Sequence, residues 1–290
     1  MLAETYKGRT NQRAALIWGL SPFWGSDMVS PHRLEYTGKL LMKLKFFISI
    51  AWICSHLVSG SVLAQEKEPA EFQFGFMQVP GGQNSPRDNG FSRLAWEIRK
   101  RTSISASLDI VEVDPSTDSI FKVPFIVWQG EAAFPALSPL AVGQIRQFLS
   151  RGGTLLIDLS DGNLGGGFDQ SVKRELARIL PGESLKRVPP EHVLYKSFFL
   201  LERHGGRIKS RAHLEGINQD GRLSVIHYAN DMSGAMARDE FGSWRYSMSS
   251  GGENAREMTY RLGINLVMYA LCLDYKEDQV HIPFILQRRR

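Results

Sequence analysis

Residues Arg151 to Gly167 read RGGTLLIDLSDGNLGGG, and this stretch decides the fold. Gly152-Gly153 closes a helix. Thr154 to Leu159 is a short apolar run rich in branched side chains, the pattern of a strand buried on both faces. Asp158, Ser160 and Asp161 bring polar groups to its carboxyl end. A glycine-rich turn follows, and Phe168 opens the next helix. Helix, buried strand, polar tip, glycine turn and helix together form the unit of an open α/β sheet. In such sheets ligands sit beyond the carboxyl ends of the strands.

The same alternation continues outward. Upstream, Phe72 to Val79 alternates like a strand, and PGGQNSPRDNG is a loop of turn residues. Asn89 or Ser92 caps a helix running to Arg101. Leu108 to Val113 reads as a strand, Pro124 to Gln129 as a buried strand ending at Gly130, and Ser138 starts a helix to Arg151. Downstream, Phe168 to Leu180 is an amphipathic helix stopped by Pro181-Gly182, and Pro189 to Tyr195 is an extended crossover. Ser197 to Glu202 and Ile208 to Ile217 suggest a peripheral hairpin about His204-Gly205-Gly206. Arg222 to Tyr228 is a strand ending at Asn230-Asp231. Ser233 to Gly252 is a polar loop, and Ala255 to Tyr275 is the longest helix. Strands interleaved with helices predict one α/β domain over 72–275. Its sheet is doubly wound and mainly parallel, flavodoxin-like, with helices on both faces and right-handed crossovers. Residues 276–290 form a tail.

The chain has 290 residues, 43% of them hydrophobic, enough for one substantial core. Its formal charge of +5 is unevenly placed. Residues 1–64 hold seven Lys/Arg and three Asp/Glu, so 65–290 hold 28 and 27 and are nearly neutral. The basic footprint of a nucleic-acid binder is missing there, and Arg288-Arg289-Arg290 reads as a solvated tail. Residues 1–41 lack sustained periodicity and read as an over-extended start. Met42, with Lys43 and Lys45, begins a positively charged segment; Phe46 to Val58 is apolar, and Val62-Leu63-Ala64 fits a small-x-small cleavage site. Residues 42–64 are therefore expected to be a signal peptide and 65–71 a linker, which makes the protein exported or periplasmic. The alternative is a membrane anchor through Phe46 to Leu63, at the short limit for a span. No Cys stands at the cleavage site, which argues against a lipoprotein. Of the two cysteines, Cys54 lies in the segment expected to be removed, and Cys272 reads as a buried, inert thiol in the last helix.

Parallel strands bring their carboxyl ends to one edge. There the candidates are Gly81, Gly82, Gln129, Gly130, Asp158, Ser160, Asp161, Asn230 and Asp231. The plainer reading is that such residues populate any strand-to-helix turn for backbone reasons. Asp158, Ser160, Asp161 and Asp231 offer hard oxygen donors, but their spacing matches no calcium loop. The other histidines show no zinc-like spacing, so no metal or cofactor is expected. Gly81-Gly82 and Gly165-Gly166-Gly167 lack the Lys-Ser/Thr of a phosphate loop. His192 is the candidate general base. No Gly-x-Ser-x-Gly elbow accompanies it, and Ser160 lies between Leu159 and Asp161. Trp244 and Tyr246 could stack on a sugar or peptide, or seal the sheet's edge.

Several segments together resemble the bacterial family known as domain of unknown function 4159. They are RGGTLLIDLSDG, FDQSVKRELARILPG, PPEHVLYKSFFLL, LEGI, GRLSVIHYANDMSGA and REMTYRLGINLVMYAL, spread over about 72–275. The resemblance implies a variant of the class I glutamine-amidotransferase-like fold. It also implies an exported or membrane-associated protein whose gene lies beside those of MoxR-type ATPases and von Willebrand factor A-like proteins. An amidotransferase needs a Cys nucleophile at a strand-to-helix elbow, where this chain has Leu159-Ser160-Asp161. The polar positions of the family map onto Asp158, Asp161, His192, Glu215, Asn230 and Asp231.

Three functions remain open at this point. The leading expectation is a non-enzymatic, exported module that binds a small polar ligand or a protein at the sheet's carboxyl edge. The second is a hydrolase or transferase using Asp158 or Asp161 with His192. The third is a structural subunit of a membrane-associated complex, docked through the 233–252 loop or the tail.

Overall fold

The computed structural model describes residues 71–82, 87 and 89–272. The expectations for 1–41, the signal peptide or anchor, nearly all of the linker and the tail lie outside the described residues. Among the described residues no helix is long and apolar enough to cross a membrane.

The buried strand is found where its sequence places it: β4 spans Thr154–Leu159 and every residue in it is buried. Its neighbour β3, Phe125–Gly130, is equally enclosed. β1 is Phe74–Met77, β2 Val111–Val113 and β7 Arg222–Tyr228. These five strands run parallel, paired β2 to β1, β1 to β3, β3 to β4 and β4 to β7. Two short antiparallel strands complete that side, β6 (Glu215–Gln219) on β7 and β5 (Lys186–Arg187) on β6. The single sheet therefore has seven strands in the order β2-β1-β3-β4-β7-β6-β5.

Side-chain alternation along β4 divides the interior into two cores. Leu155, Ile157 and Leu159 point to α2 (Pro139–Ser150) and α3 (Gly167–Ile179), against Ile145, Phe148, Val172 and Leu176. Leu156 points to the other face, where α1 (Asn89–Arg101), α4 (Met232–Met236) and α5 (Gly252–Leu271) contribute Phe91, Leu94, Met232, Leu262 and Leu266. Helices on both faces of a mainly parallel sheet make the doubly wound α/β architecture. Ser138 caps α2 by accepting a hydrogen bond from Ala141 N, and Pro139 takes the first helical position.

The structure corrects three local expectations. No strand occurs in 197–213; the hairpin is β6 to β7 instead, closed by Asp220-Gly221. Both turn residues have positive φ, 49° and 78°, as a two-residue hairpin turn of the right twist requires. The expected 233–252 loop is not wholly irregular: Ser233 to Met236 belong to α4, and Gly252 opens α5. Cys272 is exposed, one residue past α5, rather than buried within it.

Candidate functional site

The register of β3, β4 and β7 places Gln129 beside Asp158 and Asp158 beside Tyr228 at the carboxyl edge. All three side chains lie on the α1/α5 face, and Ser160, two residues beyond Asp158, continues the same ladder by donating its N–H to Gly130 O at 3.0 Å. Gly130 has no side chain because the Phe168 ring lies 2.5 Å from where its Cβ would be.

Asp158 is fully buried and binds the first turn of α4. Its Oδ1 accepts from Met232 N at 2.8 Å; its Oδ2 accepts from Ser233 N at 2.9 Å and Ser233 Oγ at 2.7 Å. Asp231, left-handed at φ 54°, caps α4 by accepting from Gly234 N at 2.9 Å. Its other oxygen takes the Arg207 guanidinium and lies 3.4 Å from Arg87 Nε. Arg87 also reaches Glu131 at 3.3 Å, and Arg207 donates to Ser160 O at 3.2 Å. Both guanidinium groups approach the Tyr246 ring, at 4.8 and 5.5 Å from its centre.

Burial and the neighbouring Asp231 push the Asp158 carboxyl up to about 6, against the hydrogen bonds it receives. Burial also raises Asp231, although Arg87 and Arg207 oppose it. Burial and the same two carboxylates hold Tyr228 well above its ordinary value; its hydroxyl donates to Gly205 O at 2.6 Å.

Beside these paired groups, three polar atoms on β3 and at the end of β4 stand out. Gln129 Nε2, Gln129 Oε1 and Ser160 Oγ are buried and have no hydrogen-bond partner among the described residues. Buried side chains normally find partners, so such atoms call for a specific explanation. The geometry suits recognition by hydrogen bonding.

The other sequence candidates lie elsewhere. Asp161 accepts from Asn163 N at 3.0 Å in the glycine turn. Asn230 pins the preceding loop, accepting from Ser210 N and Arg211 N and donating to Arg211 O. Gly81 borders a groove of about 440 Å³ with Pro80, Pro115 and Pro135, where the strand order reverses between β1 and β3, and Gly82 follows it. His192 packs on Tyr269, 5.4 Å between ring centres, and its Nδ1 accepts from Leu194 N. The Tyr269 hydroxyl accepts from Leu223 N at the start of β7. Five residues of strand, roughly 16 Å, separate Leu223 from Tyr228 beside Asp158. His192 is thus at the amino end of the sheet, and the structure does not bring it to Asp158 or Asp161.

Glu215 joins a second polar chain on the opposite face. It pairs with Arg211 at 2.8 Å; Arg211 Nη1 lies 3.1 Å from His227 Nδ1, and His227 Nε2 lies 2.8 Å from Asp169. An arginine only donates, so Nδ1 accepts and the Nε2 proton goes to Asp169. Burial raises the Asp169 carboxyl, but hydrogen bonds from His227, Lys173 and Gly165 N outweigh it and hold it below the usual carboxylate range. Sequence reasoning missed Asp169, His227, Arg87, Arg207 and Ser233. Asp169 alone carried a local signal: it is an acidic residue in the first turn of α3, where it accepts from Gly165 N just before the helix.

Fold and edge together define an α/β protein of the doubly wound class with a polar, hydrogen-bonding carboxyl edge. The chain belongs to the family described as Domain of unknown function (DUF4159), whose model matches residues 73–271. No curated protein matches it.

Proposed function

We propose that the protein is an exported, non-enzymatic binding module of the cell envelope that takes a small polar ligand at the carboxyl edge of β3 and β4. The observation behind this reading is the trio of buried atoms on Gln129 and Ser160 that have no hydrogen-bond partner among the described residues. An amide presents a donor and an acceptor, and a hydroxyl presents both, so the ligand carries adjacent donor and acceptor groups, as hydroxyl-rich and amide-bearing molecules do. Asp158, Asp231, Arg87 and Arg207 hold the frame. The fold is read as a glutamine-amidotransferase-like variant in which Leu159-Ser160-Asp161 replaces the nucleophile elbow. The family resemblance connects the module to MoxR and von Willebrand factor A-type envelope systems.

A thermal-shift screen of sugars, polyols and small amides tests the binding claim. Saturating ligand raises the melting temperature by mass action. Gln129→Leu and Ser160→Ala are expected to abolish the shift while the folded signal is kept. A ligand whose shift survives both substitutions binds elsewhere and sinks the proposal. Intact mass of the native protein tests export: a species beginning at Gln65 supports it, and one retaining Phe46 to Leu63 does not.

A further inference from the structure

A cavity of about 760 Å³ opens at the amino end of β3, β4 and β7. One wall is the end of α2 with the turn behind it, Phe148 to Gly153; another is the last turn of α5, Ala270 and Leu271. The frame is braced. Arg222 donates to Leu149 O at 2.7 Å and to Thr154 Oγ1 at 3.2 Å, and the Tyr269 hydroxyl accepts from Leu223 N at 2.9 Å. The Arg151 guanidinium lies 4.8 Å from the centre of the Phe121 ring. Val123, Phe148 and Leu149 give the walls an apolar surface, and Phe121 and Leu271 are only half-buried. The charged lining residues are Lys122, Arg151 and Arg222 against Asp220, a net of +2. A cradle already held in shape loses little entropy when it is filled.

We propose that the chain's own residues 273–286 cross this cavity as a strap, with Asp274, Glu277 and Asp278 set against Lys122, Arg151 and Arg222. Continuity selects this occupant first. α5 ends in the cavity wall at Leu271, and the next residue, Cys272, is exposed, so the chain departs from the cavity's own rim. The stretch from Cys272 to Asp278 reaches about 20 Å when extended, against about 10 Å across three strand ends. Docking of a segment tethered so closely is intramolecular, at an effective concentration in the millimolar range. Composition points the same way. Residues 273–286 read LDYKEDQVHIPFIL, and Leu273, Tyr275, Val280, Ile282 and Phe284 supply the apolar side chains that the walls would cover. Charge agrees: three acids against Lys276 give the strap a net of −2, opposite to the wall, and Arg288-Arg289-Arg290 lies beyond it. Residues 65–71 have the same net charge, but they lead into β1, which is not among the walls, and carry no large apolar side chain. The strap would tie α5 on one face of the sheet to α2 on the other. It needs no ligand at Gln129, at the opposite edge.

Hydrogen–deuterium exchange of the full chain, read over peptides covering 273–286, tests the proposal. The strap amides are expected to exchange at least about tenfold more slowly than a free peptide of the same sequence, equally at low and high protein concentration. Lys122→Glu with Arg151→Glu is expected to abolish that protection, and adding Glu277→Lys with Asp278→Lys to restore it. Both wall side chains are exposed, so the fold is kept, and unchanged protection of β4 verifies this. Exchange of the wild-type strap at the free-peptide rate overturns the proposal. So does protection that grows with concentration, the mark of a second copy in the cavity. Protection that survives reversal of the wall, or that reversal of both partners fails to restore, overturns it as well.

Discussion

Ser233 gives both its amide and its hydroxyl to one oxygen of Asp158, at 2.9 and 2.7 Å, across 75 residues of sequence. That contact clamps the first turn of α4 to the carboxyl end of β4. Asp158→Ala leaves two buried amides and a hydroxyl without their acceptor and is expected to cost about 3 kcal/mol or more. Ser233→Ala removes one hydrogen bond and is expected to cost about 1–2 kcal/mol. Chemical denaturation of both variants and of the double variant measures the coupling. The double variant should lose less than the sum, because the two share one contact.

Stability should fall with rising pH through the titration of Asp158. Its folded-state pKa, about 6, lies above the ordinary 3.8, so the fold holds the proton more tightly than the unfolded chain. That contribution is complete below the unfolded value and is lost as pH rises from about 4 to about 6, by at most about 3 kcal/mol. Other carboxyls titrate over the same range, so the informative quantity is wild type minus Asp158→Asn. That difference should decline over the interval; a flat difference would show that Asp158 titrates normally.

The buried pair of Asp169 and His227 should have the opposite dependence. A depressed folded-state pKa makes Asp169 stabilising above its ordinary value, and this is lost only as pH falls through the lower folded value. Asp169→Ala leaves the buried His227 Nε2 proton without its acceptor and is expected to cost about 1–3 kcal/mol near neutral pH. Thermal melts from neutral to strongly acid pH should show the gap between wild type and variant narrowing only at the acid end.

Gly90 in α1 is set by close approach, not by backbone freedom. A Cβ there would stand 2.4 Å from the carbonyl oxygen of Ser233. Backbone cannot step aside as a flexible side chain can, so Gly90→Ala is expected to cost about 1–3 kcal/mol. If α4 shifts to relieve the clash, Asp158 loses contacts as well. Gly143→Ala, where nothing lies within 4 Å, should be neutral or stabilising and serves as the control.

Much of the architecture was legible because local pattern and tertiary environment agree. The apolar run Thr154 to Leu159 has no polar face to turn outward, so it had to be a strand covered on both sides. The helix from Asn89 to Arg101 and the Ser138 cap of α2 lie where their sequence signals place them. The hairpin was mislocated although its signal was present. Asp220-Gly221 between two alternating runs is a strong two-residue turn, whereas His204-Gly205-Gly206 holds its glycines for close approach. A Cβ on Gly205 would sit 1.8 Å from Ala255 O.

By itself the sequence determined the class of fold, the parallel direction of the strands, and therefore that Gln129, Asp158 and Ser160 share one edge. Periodicity and turn chemistry act over a few residues and are written locally. Only the tertiary structure decided which of those groups are satisfied. Arg87 and Arg207 converge on Asp231 from separate loops, Ser233 satisfies Asp158, and His192, for all its promise as a base, packs at the far end on Tyr269. Such partnerships depend on strand register and on how closely two helices approach. These are properties of the packed chain that no short stretch of it encodes.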